Sequence, residues 1–338
     1  MAVTIKDVAR RCGMSISTVS KVFNGYPDIS VETRESVLKV AREMAYQPNA
    51  LARALKTNRS YNLGVLFVDE NTSGLIHPFF ASMLNAFKAE AEAHGYDITF
   101  INHKIGSSAM TYLEHCRYRN VDGVCLACVD FYSAEVAELV NSDIPSCTVD
   151  HLFDSRPCIS SDNAAGIRML LDYAVGRGHR RIAYIHGQRN SSVTETRITS
   201  FYRGMQALGL RVPDGYVREG RYDDADRTRT LATELLRRPD RPTCILLPDD
   251  ASCFGALEAA RALALRVPQD VSIAGFDGIR LTQLLNPPLT TVLQDSEGMG
   301  RHAALRLIDR VEHPITAPKE LVTVPVSLVE GGTVAQIQ

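Results

Sequence analysis

Residues 4–24 read TIKDVARRCGMSISTVSKVFN, and this segment predicts a chain that begins with a short amphipathic helix. Thr4 and Asp7 form the Ser/Thr-x-x-Asp/Glu pattern that starts many helices. Ile5, Val8 and Cys12 then recur at the spacing of one helical face. A first helix is therefore expected to begin at Thr4.

A turn at Gly13 separates this helix from a second one. Gly13 can adopt the left-handed conformation that ends a helix, and Ser15 can cap the next helix. Val19, Val22 and Phe23 then fall on the buried side of the second helix. Two helices joined by a three-residue turn form a helix-turn-helix.

The opposite side of the second helix is typical of a surface that enters the major groove of double-stranded DNA. It comprises Ile16, Ser17, Ser20, Lys21 and Asn24. Apart from Ile16, these residues supply small hydroxyls, a cation and an amide. Side chains on a recognition helix reach base edges, while hydroxyls and the helix N-terminus bind phosphates, a role that suits Ser15 and Thr18. Any small three-helix domain can show this spacing, so a purely structural interpretation stays open here.

A third helix completes the N-terminal unit. Ser30 can cap it, and Glu32 lies in its first turn. Its buried face is predicted to comprise Val37, Leu38, Ala41 and Met44. Pro48 ends this headpiece, because the residue before a proline is pushed out of helical geometry.

The next segment, residues 49–60, reads NALARALKTNRS and is both helix-prone and basic. About eight helical residues are too few for a stable isolated helix. Leu51 and Leu55 share one face, so a second copy of the segment lying on DNA is a reasonable partner. We expect it to be disordered in the free protein and helical on DNA. A flexible basic linker is the alternative.

These motifs resemble the LacI/GalR repressors. The resemblance is carried by T-I-K-D-V-A-R, S-I-S-T-V-S-K-V-F-N-G and P-N-A-L-A-R-A-L, and it extends along the whole chain. It implies that Leu55 wedges into the minor groove at the centre of a palindromic operator, beside Ala52. Thr4, Ser30 and Asn49 complete the predicted DNA-binding set.

Composition and charge agree with a polyanionic partner for the N-terminus. The 338 residues are 45% hydrophobic and 22% charged, with a net charge of -2. Residues 1–60 hold 10 Lys and Arg against 5 Asp and Glu, whereas the remainder holds 27 against 34. A basic head on an acidic body concentrates attraction for DNA at one end.

No segment of the sequence predicts export or membrane insertion. The N-terminus lacks the apolar core of a secretory signal, and no apolar run approaches spanning length, so a cytoplasmic protein is expected. Eight scattered cysteines fit reduced thiols. Cys125 and Cys128 form one C-x-x-C, but without a second pair this spacing does not favour a metal or redox site.

From residue 61 the pattern changes to alternating strands and helices, which predicts parallel sheets. The predicted strands are 62–68, 96–101, 123–128, 146–149, 181–186, 244–247 and 271–276. The predicted helices are 79–94, 108–119, 134–141, 164–177, 195–208, 223–238, 252–264 and 296–310. Two similar α/β lobes therefore follow one another, and their cleft is the expected ligand site.

The predicted domains are a headpiece at 1–48, a hinge segment at 49–60 and a two-lobed ligand and dimerisation domain at 61–338. Lobe 1 comprises about 61–160 and 293–320, and lobe 2 about 161–290 with the C-terminal strand. The resemblance implies a core like that of periplasmic sugar-binding proteins. The return of helix 296–310 to lobe 1 is implied by the resemblance alone.

The candidate ligand residues lie mainly where strands should end. Asp150, Asp249, Asp250 and Asp277 follow strand-like runs, and carboxylates there can accept paired hydrogen bonds from vicinal hydroxyls. The resemblance matches Arg197 to a ligand-contacting arginine, Asp277 to its partner carboxylate, and Phe79 and Tyr222 to aromatic ligand contacts. The alternatives are that strand-end aspartates cap the following helix and that Arg197 is a solvated helix residue.

The acidic character of this set favours a neutral ligand. Many members of the resembled family have Asn-Asp where this chain has Asp249-Asp250, and extra acid disfavours anions. A neutral sugar is thus preferred, with a sugar phosphate or a nucleobase left open. The aspartates are widely separated and lack a loop of spaced ligands, so calcium is not favoured, and no cofactor is expected.

Two other classes of function are compatible with a two-lobed α/β protein. An enzyme is disfavoured because common cofactor and nucleophile motifs are absent, and a transport receptor because a basic head replaces a signal peptide. A homodimer is expected because one head reads half of a pseudo-palindrome, while the tail GGTVAQIQ lacks leucine heptads for a tetramer. The sequence does not indicate whether the ligand releases the repressor or helps it bind.

Overall fold

The computed structural model describes residues 3–23, 25–47, 59–68 and 74–337. The described residues up to Tyr61 and those from Asn62 onward form two separate compact units. Four predicted DNA-binding residues, Asn24, Asn49, Ala52 and Leu55, lie outside the described residues, as does most of the hinge segment.

The smaller unit contains three helices, α1 (Ile5–Cys12), α2 (Ile16–Phe23) and α3 (Val31–Glu43). The Thr4 amide and hydroxyl donate to Asp7 Oδ2 at 3.0 and 2.6 Å, so the predicted start signal of α1 is confirmed. Gly13 ends α1 with φ of 64°. Ser15 Oγ accepts a hydrogen bond from the Thr18 amide at 3.0 Å and caps α2 as predicted.

The three helices enclose one small apolar core. Its fully buried members are Val8, Ala9, Val19, Val22, Val37 and Ala41. The prediction that Leu38 is buried is wrong, because its side chain is 37% exposed. Val40 is partly buried instead, since one face of α3 continues through Val37, Ala41 and Met44 and Leu38 is turned about 100° away from it.

The larger unit is built on two six-stranded sheets. The sheet of lobe 1 contains β1 (Asn62–Phe67), β2 (Asp97–Ile101), β5 (Gly123–Ala127), β6 (Ser146–Val149), β7 (Cys158–Ser161) and β13 (Leu321–Val324). Its order is β13-β7-β6-β5-β1-β2, and all pairings are parallel. The short strands β3 (Lys104–Ile105) and β4 (Ser108–Ala109) form a separate hairpin.

The sheet of lobe 2 repeats this plan. It contains β8 (Ile182–His186), β9 (Val217–Glu219), β10 (Cys244–Leu246), β11 (Ser272–Asp277), β12 (Thr290–Gln294) and β14 (Val326–Val329). Its order is β14-β12-β11-β10-β8-β9, parallel except for the antiparallel pairing of β14 with β12. The chain therefore passes between the sheets three times, after β7, β12 and β13.

Helices cover both sheets. Those joining the strands of lobe 1 are Pro78–Ala93, Tyr112–Tyr118 and Ala134–Asn141, and those of lobe 2 are Asn163–Gly176, Ser192–Ala207, Ala225–Leu236 and Ser252–Ala262. Short 3-10 helices span Gly74–Ile76 and Arg280–Leu284. Helix Ser296–Glu312 returns to lobe 1, where a Cβ on Gly300 would lie 2.1 Å from the Met83 carbonyl oxygen.

Two parts of the predicted secondary structure need correction. The helix expected at 108–119 begins at Tyr112, because residues 104–109 form the hairpin and Thr111 caps the helix by accepting from the Glu114 amide at 3.2 Å. Strands β7, β9, β12 and β13 were not predicted, and β14 was predicted only as a C-terminal strand of lobe 2 without bounds. They are three to five residues long and several carry Ser, Thr or Glu, so they lack the apolar runs that identified the other strands.

Candidate functional site

A cleft of about 200 Å³ lies between the two lobes and is lined from both sides. The structure brings all six predicted ligand residues to its wall: Phe79, Asp150, Arg197, Tyr222, Asp249 and Asp277. Most of them follow the carboxyl ends of parallel strands, where open α/β sheets bind ligands. Contact of these residues with a ligand remains a prediction.

Arg197 is held rigidly in the lobe 2 wall. It lies on helix Ser192–Ala207 and is only 3% exposed. Its Nε donates to Asn163 Oδ1 at 2.6 Å, and its Nη1 donates to the Pro248 carbonyl oxygen at 2.8 Å. The guanidinium carbon also lies 3.5 Å from the centre of the Phe276 ring. Arg197 is thus a buried cation and not a solvated helix residue.

Asp277 ends β11 in an unusual backbone conformation. Its φ is 120°, and its Oδ1 accepts a hydrogen bond from Gln294 Nε2 at 2.6 Å. Burial and the nearby charges of Asp249 and Asp250 raise the pKa of Asp277 well above its ordinary value, and the charge of Arg197 opposes this shift only in part. Asp277 is therefore a carboxyl group that readily takes a proton.

Asp150 directly follows β6 and links the two lobes. Its Oδ1 accepts from Ser160 Oγ at 2.8 Å, and its carbonyl oxygen accepts from the hydroxyl of Ser192 in lobe 2. Burial raises the pKa of Asp150, while the Ser160 hydrogen bond and the charge of Arg197 lower it. The Asp150 backbone thus contacts the start of the helix that carries Arg197.

The neighbouring acids Asp249 and Asp250 have different roles. Asp249 accepts from the amides of Ser252 and Asp223 at 2.7 and 2.6 Å, so it holds the start of helix Ser252–Ala262 while it lines the cleft. Burial raises its pKa. Asp249 thus supports the start of the following helix, whose N-cap residue is Ala251, and both of its oxygens already accept backbone hydrogen bonds.

Asp250 is fully buried beneath the cleft and does not line it. Its oxygens accept from the Ile279 amide at 2.9 Å, from Thr282 Oγ1 at 3.1 Å and from Thr291 Oγ1 at 2.5 Å. These bonds tie β12 to the segment after β11. Burial raises the pKa of Asp250 to about 7.

Aromatic rings form much of the remaining wall. Phe79 and Phe80 meet edge to face with ring centres 5.1 Å apart, and Phe131 stacks on His151 at 4.6 Å. The Tyr222 hydroxyl lies 2.8 Å from Thr194 Oγ1. A Cβ at Gly187 would approach the Tyr222 ring to 2.1 Å, so glycine is required there for the ring to occupy its position.

Several cleft residues escaped the sequence-based prediction, notably His77, Phe131 and Gln294. Gln294 follows the strand-end rule, but β12 itself was not recognised. Phe131 comes four residues after the end of β5, so its position in the sequence does not mark it as a strand-end residue. His77 immediately precedes helix Pro78–Ala93, and its Nδ1 is buried without a hydrogen-bond partner in the described structure. Such an atom can pair with a ligand.

Backbone strain is concentrated at the cleft. Eight described residues other than glycine have positive φ, and four of them line the cleft: Cys128, Asp150, Asp223 and Asp277. Residues held in this region cost energy and cluster where structure serves binding. The geometry of the wall is therefore imposed by the surrounding fold.

The described residues contain no group of three or more His, Cys, Asp or Glu side chains suited to hold a metal ion. Cys125 is buried in β5, and burial raises the pKa of its thiol to about 12. A thiol with such a pKa stays protonated and is a poor metal ligand or nucleophile. Within the described ranges, no helix is long and apolar enough to cross a membrane.

The predicted DNA-binding residues that the structure describes lie on the headpiece surface. Ile16 and Ser17 are exposed on α2, and Ser20 and Lys21 are partly exposed. Ser15 and Thr18 bond to each other through their hydroxyls at 2.9 Å. Thr4 and Ser30 cap α1 and α3, and Ser30 Oγ accepts from the Thr33 amide at 3.2 Å.

Comparison with known proteins supports the same two-part organisation. Residues 4–49 match the family of bacterial regulatory proteins, lacI family, and residues 171–334 match the periplasmic binding protein-like domain. The chain is 30% identical over 338 residues to the ribose operon repressor of Escherichia coli (strain K12), covering 97% of this chain and 99% of that protein. It is 29% identical over 312 residues to the HTH-type transcriptional repressor PurR of Pasteurella multocida (strain Pm70), covering 91% and 92%.

A solved structure of the Lac repressor dimer bound to operator and the anti-inducer ONPF has the same fold. The TM-score is 0.80 at 26% identity, and the match covers 99% of this chain and 100% of that one. These relatives are repressors and not enzymes, which agrees with a chain that contains both a helix-turn-helix headpiece and a separate domain with a cleft. The chain belongs to the LacI family and is a DNA-binding transcriptional repressor with a periplasmic-binding-protein-like effector domain.

Proposed function

We propose that this repressor is a homodimer whose affinity for a pseudo-palindromic operator is controlled by a small neutral, hydroxylated effector, most simply a sugar, in the cleft between the lobes. The observation that carries the proposal is the composition of the cleft wall. A buried arginine, several carboxyl groups and flat rings converge on one cavity of about 200 Å³.

The carboxyl groups favour a ligand rich in hydroxyls. Asp150 and Asp277 have raised pKa values, so each can accept or donate a hydrogen bond depending on its protonation. Arg197 adds fixed donors. Five aspartates and one arginine line the described cleft wall, so a phosphorylated ligand would find little positive charge there.

Lobe 1 would cover the apolar side of the effector. Phe79 and Phe131 present ring surface there. The His77 Nδ1, which has no hydrogen-bond partner among the described residues, supplies a polar contact from the same side. A ring-shaped ligand with one apolar face and a polar edge matches this arrangement. A nucleobase, which also stacks on rings, is the second ligand class to include in tests.

On DNA, α2 would enter the major groove, with Ile16, Ser17, Ser20 and Lys21 toward base edges and Ser15 and Thr18 at phosphates. The solved Lac repressor structure is a dimer on operator, which supports a dimer with two half-sites here. We also propose that Leu55 and Ala52 contact the minor groove, a role that is supported by the sequence resemblance alone.

A thermal-unfolding screen tests the effector assignment. The panel contains neutral aldoses, a disaccharide, a sugar phosphate and purine bases. A ligand present at ~100 times its dissociation constant adds about 2.7 kcal/mol to the unfolding free energy. We expect a neutral sugar to raise the unfolding temperature. A response restricted to the sugar phosphate would contradict the neutral-ligand assignment.

A further inference from the structure

The loop between α2 and α3 places a carboxylate directly against the cation of the recognition helix. Lys21 Nζ lies 2.5 Å from Asp28 Oδ2. Lys21 is the basic residue of the last turn of α2, and α2 has no acidic residue in its first turn. The carboxylate that pairs with Lys21 on the proposed DNA-reading face therefore lies outside the recognition helix.

The loop that carries Asp28 is fixed from both sides. The Tyr26 amide donates to the Lys21 carbonyl oxygen at 3.1 Å, and Arg34 Nη2 from α3 donates to the Tyr26 carbonyl oxygen at 2.8 Å. Ile29 packs against the headpiece core one residue beyond Asp28. Asp28 is thus presented to Lys21 by a defined scaffold.

Stability does not explain this ion pair. Both side chains remain substantially exposed, at 40% for Lys21 and 53% for Asp28. Exposed ion pairs between long side chains contribute little to folding, because solvent screens them and ordering opposes them. The apolar core and the caps of α1 to α3 hold the headpiece without it.

The pair has a clearer consequence for DNA binding. A lysine on a flexible stem binds any phosphate within reach, whereas a lysine held in one direction can be aimed at the O6 and N7 acceptors of guanine. A carboxylate beside it repels the phosphate backbone. Both effects weaken sequence-independent binding more than binding to a matching site.

We propose that Asp28 is a specificity-determining residue of the DNA-binding surface, which positions Lys21 toward a base edge and reduces its use as a phosphate contact. This inference rests on the proposed role of Lys21 in DNA binding. Asp28 acts through Lys21, so it is a positioning residue.

The test compares full-length variants by fluorescence anisotropy on a random-sequence duplex and on an operator obtained by selection from random DNA. Asp28→Asn should bind the random duplex about threefold more tightly, with a log-log salt slope steeper by about 1.8 per dimer, because one phosphate contact is gained per head. The ratio of operator to random affinity should fall about tenfold. Asp28→Glu, which keeps the charge, should behave like the wild type.

Glu43→Gln is the matched control. It removes the same charge from the same unit, but Glu43 is the last residue of α3, about 18 Å along the helix axis from its start. The control should leave the salt slope unchanged. A steeper slope in Glu43→Gln equal to that in Asp28→Asn would overturn the proposal, since net charge alone would explain the effect.

A double-variant cycle separates the inference from the function on which it rests. In a Lys21→Ala background, Asp28→Asn should leave the ratio of operator to random affinity unchanged, because only the general repulsion of phosphates by Asp28 remains there. A fall of this ratio in that background would overturn the positioning role. An effect of Lys21→Ala without any effect of Asp28→Asn would also overturn it, while leaving Lys21 as a DNA contact. Unchanged binding of Lys21→Ala to both duplexes would refute the contact itself, and the inference with it.

Discussion

The two walls of the cleft differ in chemistry although the two lobes share one architecture. Lobe 1 contributes mainly rings and aliphatic side chains, including Phe79, Phe80 and Phe131. Lobe 2 contributes directional polar groups, including Arg197 and Asp277, that are fixed by their own hydrogen bonds. If the cleft binds the proposed effector, we expect lobe 2 to determine which ligand binds and lobe 1 to supply apolar surface that tightens binding.

The largest effect should follow removal of Arg197. Arg197→Ala should weaken effector binding more than 100-fold in calorimetry, because a buried charged donor is lost and its partners are left unpaired. The apo protein should also lose stability, since Asn163 and the Pro248 carbonyl lose their donor. Unfolding of the free variant should therefore be measured alongside.

Arg203→Ala is the matched control for this variant. Arg203 lies on the same helix but is exposed, so its removal should leave effector affinity unchanged. Equal losses in both variants would show that helix Ser192–Ala207 matters only as a structural element.

The next effect concerns the pH dependence of stability, which we attribute to Asp250, a carboxyl group buried in lobe 2. The folded-state pKa of Asp250, about 7, lies above its ordinary value of 3.8, so the protonated carboxyl contributes stability that is complete at low pH and is lost as pH rises through about 7. Urea unfolding at about pH 5 and pH 8 should show wild-type stability falling by about 2–3 kcal/mol more than that of Asp250→Asn.

Asp154→Asn, an exposed lobe 1 variant, serves as the control and should retain the wild-type pH dependence. If wild-type stability instead rose between pH 5 and pH 8 relative to that of Asp250→Asn, this result would contradict burial as the cause of the raised pKa.

A smaller effect is expected for Asp277→Asn. Because burial raises the pKa of Asp277, its charged form becomes populated only as pH rises, and the charged form is the better acceptor for ligand hydroxyls. Wild-type effector affinity should therefore increase with pH, while Asp277→Asn should show a flatter profile and bind about tenfold more weakly than the wild type once the wild-type carboxyl group is charged. Calorimetry across this range gives the comparison, and parallel profiles would exclude Asp277 as the titrating acceptor.

The smallest effect belongs to the apolar wall. Phe131→Leu should weaken effector binding about three- to fivefold, because it removes ring surface but keeps an apolar side chain. The adjacent Tyr132→Leu, exposed and outside the cleft wall, should have no effect. A loss for Phe131→Leu as large as that for Arg197→Ala would reverse the assigned roles of the two walls.

The sequence allowed prediction of those features that depend on local pattern. Helix start signals at Thr4 and Ser15 and the strand-end position of Asp277 are local, and the structure has them as expected. Gln294 could not be found because β12, TTVLQ, carries polar residues that are buried only by the neighbouring strands. The Lys21–Asp28 pair joins side chains seven residues apart across a loop, and only the folded headpiece brings them together.

The coupling of the cleft to DNA binding can be measured directly by titrating effector into the complex of protein and fluorescent operator. For the wild type we expect operator affinity to change by about 5- to 150-fold, the usual range of allosteric coupling. Arg197→Ala should bind operator as the wild type does in the absence of effector and should remain insensitive to effector at concentrations that saturate the wild type. A variant that binds operator normally and responds to effector like the wild type would contradict the account.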